Sequence, residues 1–121
     1  MASTEQENKP LFIISDGTGD TATKVVEACL VQFEEPNVQV HVFPLVTDHE
    51  QLRRIMASAK EKNAMVVCTL VRTNQRTEAD KLAKQFRIQH VDVVGNMLAA
   101  LSTFLRQRPQ GTPGLLHMTS D

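Results

Sequence analysis

Seven consecutive residues, Ser15-Asp16-Gly17-Thr18-Gly19-Asp20-Thr21, gather three hydroxyls, two carboxylates and two glycines in one short stretch. Glycines let a backbone approach a ligand closely, and hydroxyls donate to anionic oxygens. A helix that starts straight after such a loop offers unpaired N–H groups and the positive end of its dipole. The chemistry this suits is the holding of a phosphate or carboxylate. A second polar stretch, Arg72-Thr73-Asn74 with Arg76 behind it, could clamp the same anion from the opposite side. The candidate anion- or ligand-binding residues are therefore Ser15, Asp16, Gly17, Thr18, Gly19, Thr21, Arg72 and Thr73. No catalytic residue and no metal ligand is assigned.

A plainer reading of the same residues stays open. Asp16-Gly17 and Thr18-Gly19 can simply form a turn, with Asp20 or Thr21 capping a helix and Arg72 solvated. The Asp16 carboxylate opposes a bound phosphate unless it holds a cation or points away. Gly17-Thr18-Gly19 followed by Ala22 is a weak GxGxxA match to a dinucleotide loop, and Phe43-Pro44 stand where its acidic residue would fall. No glycine is followed by lysine, so no phosphate loop of the GxxxxGK[ST] kind is present. His41, His49, His90 and His117 are scattered without metal-ligand spacing. Cys29 and Cys68 fall inside apolar patterns and read as reduced core residues.

The elements that must position these loops follow from hydrophobic spacing. Leu11–Ile14 and Ala64–Leu70 are continuous apolar runs, as expected of strands buried on both faces. Val38–Phe43 alternates and belongs nearer a sheet edge; His90–Val94 is a short strand. Helical stripes run through Ala22, Val25, Val26, Cys29, Leu30 and Phe33, and through Leu52, Ile55, Met56 and Ala59. Two more run from Thr77 to Phe86 and through Met97, Leu98, Leu101, Phe104 and Leu105. Thr47 and Glu50 form a capping-box pattern.

Strand alternates with helix throughout, which calls for a parallel sheet with helices on both faces. Placing the two most apolar strands in the centre gives the order 2-1-3-4, a small Rossmann- or flavodoxin-like α/β fold. A crevice then opens at the carboxyl ends of strands 1 and 3, lined by the two polar loops. Residues 1–9 read as a disordered leader, 10–107 as the α/β domain, and 108–121 as a Pro/Gly-rich linker.

With 121 residues, 41% hydrophobic, the chain is one domain with material for a core. Its net charge of −1, and its lack of Trp and Tyr, argue against a nucleic-acid or membrane-surface binder. No run approaches the roughly 18 apolar residues of a membrane span.

The stretch Phe12-Ile13-Ile14-Ser15-Asp16-Gly17-Thr18-Gly19-Asp20-Thr21-Ala22 resembles the start of a family of bifunctional serine/threonine kinase–pyrophosphorylases. These regulate pyruvate, phosphate dikinase or phosphoenolpyruvate synthase. Gln32-Phe33, the strand Met65–Leu70, and Pro113-Gly114 followed by His117 resemble later parts of the family pattern. Thr23 departs from the glutamate usual after the Thr-Ala pair. The resemblance implies ADP-dependent phosphorylation of a threonine on the dikinase, reversed by inorganic phosphate with release of pyrophosphate. It implies ADP and phosphate as ligands of the full-length protein, with no cofactor in this stretch. The nucleotide-binding phosphate loop belongs to a carboxyl-terminal catalytic domain missing here, so the chain would be inactive alone. The expected partners are the dikinase or synthase, that catalytic domain, and a second copy in a homodimer, with no nucleic acid or membrane. The expected setting is the cytoplasm, or the chloroplast stroma in a photosynthetic eukaryote. Two other readings stand beside this: a free-standing α/β module for an anionic metabolite, and a receiver-like domain for a protein partner. The second is weakened because Cys68-Thr69-Leu70 ends the third strand without an acidic phosphoacceptor.

Overall fold

The computed structural model describes residues 8–112. Its strands are β1 (Lys9–Ser15), β2 (Val38–Phe43), β3 (Met65–Thr69) and β4 (His90–Asp92). Its helices are α1 (Asp20–Leu30), α2 (His49–Lys62), α3 (Thr73–Phe86) and α4 (Gly95–Leu105). The sheet is parallel throughout and ordered β2-β1-β3-β4, as the sequence predicts. The alternating strand β2 is at an edge, and the two apolar runs are central. β1 begins at Lys9, which pairs with Val38, so strand structure reaches into the expected leader. Residues 1–7 and the Pro113-Gly114…His117 segment lie outside the described residues.

Alternate residues of the central strands feed two cores. On one face Phe12, Ile14, Val66, Cys68 and Leu70 meet Leu52 and Met56 of α2 and Ala79 and Leu82 of α3. On the other, Leu11, Ile13 and Val67 meet Ala22 and Val26 of α1, with Leu30 and Val93 partly buried against them. The first core holds thirteen buried residues and the second five, so the layers are unequal. The expectation for Cys29 is corrected: it is exposed, on a face of α1 outside the smaller core. Cys68 is buried, and burial, then the neighbouring Asp92, push its thiol up to about 12. It is inert at neutral pH.

Local capping also differs from expectation. Asp48, not Thr47, caps α2: its Oδ1 accepts from Gln51 N–H at 2.8 Å. The Gln51 side chain accepts in return from the Thr47 and Asp48 N–H groups. α3 begins at Thr73 rather than Thr77, and its polar first turn is anchored by buried Gln75, whose Nε2 donates to Val46 O at 3.4 Å.

His90 enters β4 half-buried, with its Nε2 buried and without a hydrogen-bond partner. Burial lowers its pKa below 6.5, and Asp80 and Asp92 only partly oppose this. A depressed imidazole contributes its full stability above the unfolded pKa and loses it as pH falls through the folded value. The Tm of the protein is therefore expected to fall between pH 7.5 and 5.5 more steeply than that of His90→Gln. Parallel pH profiles for the two proteins would show that His90 is not the titrating group.

Candidate functional site

The loop between β1 and α1 is shaped by its own backbone and by two glycines. Ser15 Oγ accepts from Gly17 N–H at 3.0 Å, and Thr18 Oγ1 accepts from Asp20 N–H at 3.3 Å. Gly19 takes φ +88°, a left-handed value, to turn the chain into α1. A Cβ there would lie 2.7 Å from Val42 Cγ1. From outside, the N–H groups of Leu45 and Val46 donate to Gly17 O and Ser15 O at 2.8 and 2.9 Å. Leu45 holds a left-handed φ of +56° to do so.

No side chain caps α1 from its N-cap position. The helix therefore opens with backbone N–H groups at Thr21 and Ala22 directed out of its first turn. Thr23 Oγ1 donates to Gly19 O at 2.8 Å and so belongs to the helix backbone.

Asp16 is 7% exposed, and its Oδ2 accepts from Val71 N–H at 2.9 Å. The carboxylate is thus committed to tying the β1 loop to the β3 exit, across 55 positions of sequence. Asp16 also lines the cleft at the carboxyl ends of β1 and β3, where its charge opposes a bound anion.

The register of the two central strands sets Ser15 beside Thr69. Val67 packs toward α1, so Thr69, two residues on, faces the same way. Both residues are buried, 4% and 8% exposed, and they floor a cleft of about 470 Å³ at the carboxyl ends of β1 and β3. Gly17 to Thr21 form one wall, and Val94, Leu98, Leu101 and Leu105 form an apolar wall opposite. Gln107, Arg108 and Pro109 run along the rim. The stretch expected to be linker therefore begins as part of the cleft. α4, which carries the apolar wall, is set at its start by Asp92: the carboxylate accepts from Val94 and Gly95 N–H at 3.2 and 2.9 Å. Arg76 Nε approaches Asp92 Oδ2 at 3.9 Å.

Six of the eight residues singled out in the sequence meet here: Ser15, Asp16, Gly17, Thr18, Gly19 and Thr21. Arg72 and Thr73 do not line the cleft. Arg72 is the exposed residue before α3, and Thr73 opens that helix. Sequence reasoning overlooked Thr69 and Arg108. The first was signalled by its place at the carboxyl end of the second apolar strand. The second had no signal, because it follows the last periodic stripe. Among the described residues no group of three or more His, Cys, Asp or Glu side chains could hold a metal ion. None of their helices is long and apolar enough to cross a membrane.

The arrangement can hold an anionic head and an apolar body at once. Ser15 and Thr69 hydroxyls lie at the floor beside the start of α1, Arg108 and the carboxylates of Asp16 and Asp20 also line the cleft, and leucines of α4 add an apolar side.

The sequence matches the kinase/pyrophosphorylase family over residues 11–121. It is 34% identical over 113 residues to a protein of Lysinibacillus sphaericus named a pyruvate, phosphate dikinase regulatory protein, covering 92% of this chain and 42% of that one. A protein of the same name from Chloroflexus aurantiacus is 34% identical over 110 residues, covering 91% and 39%. One from Halalkalibacterium halodurans is 31% identical over 107 residues, covering 88% and 40%. The chain spans about two fifths of the length of these curated relatives.

Proposed function

This chain belongs to the kinase/pyrophosphorylase family, and we propose that it is the amino-terminal part of a protein that regulates a pyruvate, phosphate dikinase or a phosphoenolpyruvate synthase. The regulation is ADP-dependent phosphorylation of a threonine on the target, reversed with inorganic phosphate and release of pyrophosphate. The names of the relatives support the target, and the family's name supports the pair of activities. Phosphoryl transfer needs a cradle for nucleotide phosphates. We place that machinery in the part that the longer relatives carry outside this match, a reading supported by the lack of any glycine followed by lysine in this sequence.

This part holds a phosphate-bearing ligand in the cleft between β1, β3 and α4. The observation that carries the assignment is the pairing of Ser15 and Thr69 beneath the uncapped start of α1. The Ser15 hydroxyl accepts from Gly17 N–H and keeps its own proton to donate to a ligand oxygen, and helix N–H groups favour an anion. Arg108 at the rim supplies positive charge. The apolar wall of Leu98, Leu101 and Leu105 selects a ligand with more than a bare anion to bury. The same cleft also suits a free-standing module for an anionic metabolite, which would bind its ligand without any transfer activity.

The test is reconstitution. The chain is joined to the remaining part of the Lysinibacillus sphaericus relative and assayed with ADP and a dikinase. Threonine phosphorylation that requires this chain, and that fails for the carboxyl-terminal part alone, is the expected result. A joined protein that folds, binds ADP and transfers nothing would contradict the regulatory reading and leave the metabolite module.

A further inference from the structure

We propose that the outward face of α4, built from Met97, Leu101, Phe104 and Leu105, is the seat on which the carboxyl-terminal part of the longer family members docks. The inference rests on the family membership above and concerns a surface centred on Met97 and Phe104, outside the ligand cleft, which Leu101 and Leu105 border. α4 is the most apolar helix of the described residues, and not one of its residues is buried. Met97 is 61% exposed, Phe104 81% and Leu105 53%. The eleven residues Gly95–Leu105 include no charged side chain, whereas α2 and α3 carry lysines, arginines and acids along their solvent faces.

At about 100° per residue, Phe104, Met97, Leu101, Leu105 and Leu98 occupy one continuous arc of about 120°. Leu98, Leu105 and Leu101 line the cleft; Met97 and Phe104, at the other side of the arc, do not. A stripe of that width is what a helix presents to a packed layer, and a charge-free exposed apolar face marks an interaction surface.

Two further observations point to the occupant. The layer on this side of the sheet is the incomplete one, with five buried residues against thirteen opposite, and α1 also leaves Val25 exposed there. The relatives carry about three fifths of their length outside the matched region, and α4 is the last helix or strand in sequence among the described residues. A segment tethered next to an apolar face meets it at a high effective concentration. An uncharged, apolar surface of the carboxyl-terminal part is the complement that this face requires.

Hydrogen exchange of residues 97–105 tests this in two proteins: the chain alone, and the chain continued by the remaining part of the Lysinibacillus sphaericus relative. The expected result is exchange slower by about 10-fold or more in the joined protein. Phe104→Asp should restore fast exchange there while leaving the Tm of the chain alone unchanged. Equal exchange in the two proteins would overturn the proposal. So would protection already present in the chain alone that rises with concentration and disappears in Phe104→Asp, which would assign the face to a second copy. Phe104 does not line the cleft, so ligand binding by the chain alone reads the proposed function independently of either outcome.

Discussion

Gly19→Ala is expected to lower the Tm by roughly 10 °C and to abolish ligand binding in the cleft. Two costs combine at this position. A side chain at φ +88° incurs a left-handed strain of about 1–2 kcal/mol. The new Cβ would also meet Val42 Cγ1 at 2.7 Å, and crowding of this kind costs about 1–3 kcal/mol. Val42 is 40% exposed and can give way, so a total of about 2–3 kcal/mol is the expected destabilisation. That is a large part of the stability of a domain this size. The loop that Gly19 closes also aims the first N–H groups of α1 at the cleft floor, so binding should fail even where the variant still folds. A Tm within about 2 °C of the parent would show that the loop accommodates a side chain by moving.

Asp16→Ala is the second large effect. The buried carboxylate is the acceptor for Val71 N–H, and its removal leaves that donor unpaired between two central strands. Loss of such a partner costs about 1–3 kcal/mol. Asp16→Asn keeps an oxygen acceptor of the same reach and should retain most of the stability. Urea unfolding midpoints separate the two variants. Equal losses would mean that the oxygen–Val71 hydrogen bond is not what Asp16 contributes.

The fold was largely legible because its signals are hydrophobic. Leu11–Ile14 and Met65–Thr69 have no polar residue before their ends, so they had to be central, and alternating Val38–Phe43 had to lie at the edge. The site was legible where glycines and hydroxyls cluster in sequence, in Ser15–Thr21. It was illegible where it depends on the meeting of distant segments. Thr69 reaches the floor through its register with Ser15, and Arg108 joins the cleft from the segment that follows α4. Arg72 lies outside the cleft for a related reason: α3 starts at Thr73, a turn earlier than its apolar spacing indicates, because Gln75 packs inward despite being polar. The helical stripe of Cys29 and Phe33 was read as core because periodicity reports a face, not what covers it. Both residues are exposed in the layer that α4 leaves open.

The most direct measurement is calorimetric titration of the chain with inorganic phosphate, pyrophosphate, ADP and ATP, beside Thr69→Val, Arg108→Ala and Arg72→Ala. Binding of a phosphate-bearing ligand is expected to weaken about 10-fold in Thr69→Val, which removes a hydroxyl at nearly constant volume. It should weaken several-fold in Arg108→Ala and stay nearly unchanged in Arg72→Ala, whose side chain is outside the cleft. Absence of binding to all four ligands, or binding lost only in Arg72→Ala, would contradict the assignment of the phosphate site to the cleft between β1, β3 and α4.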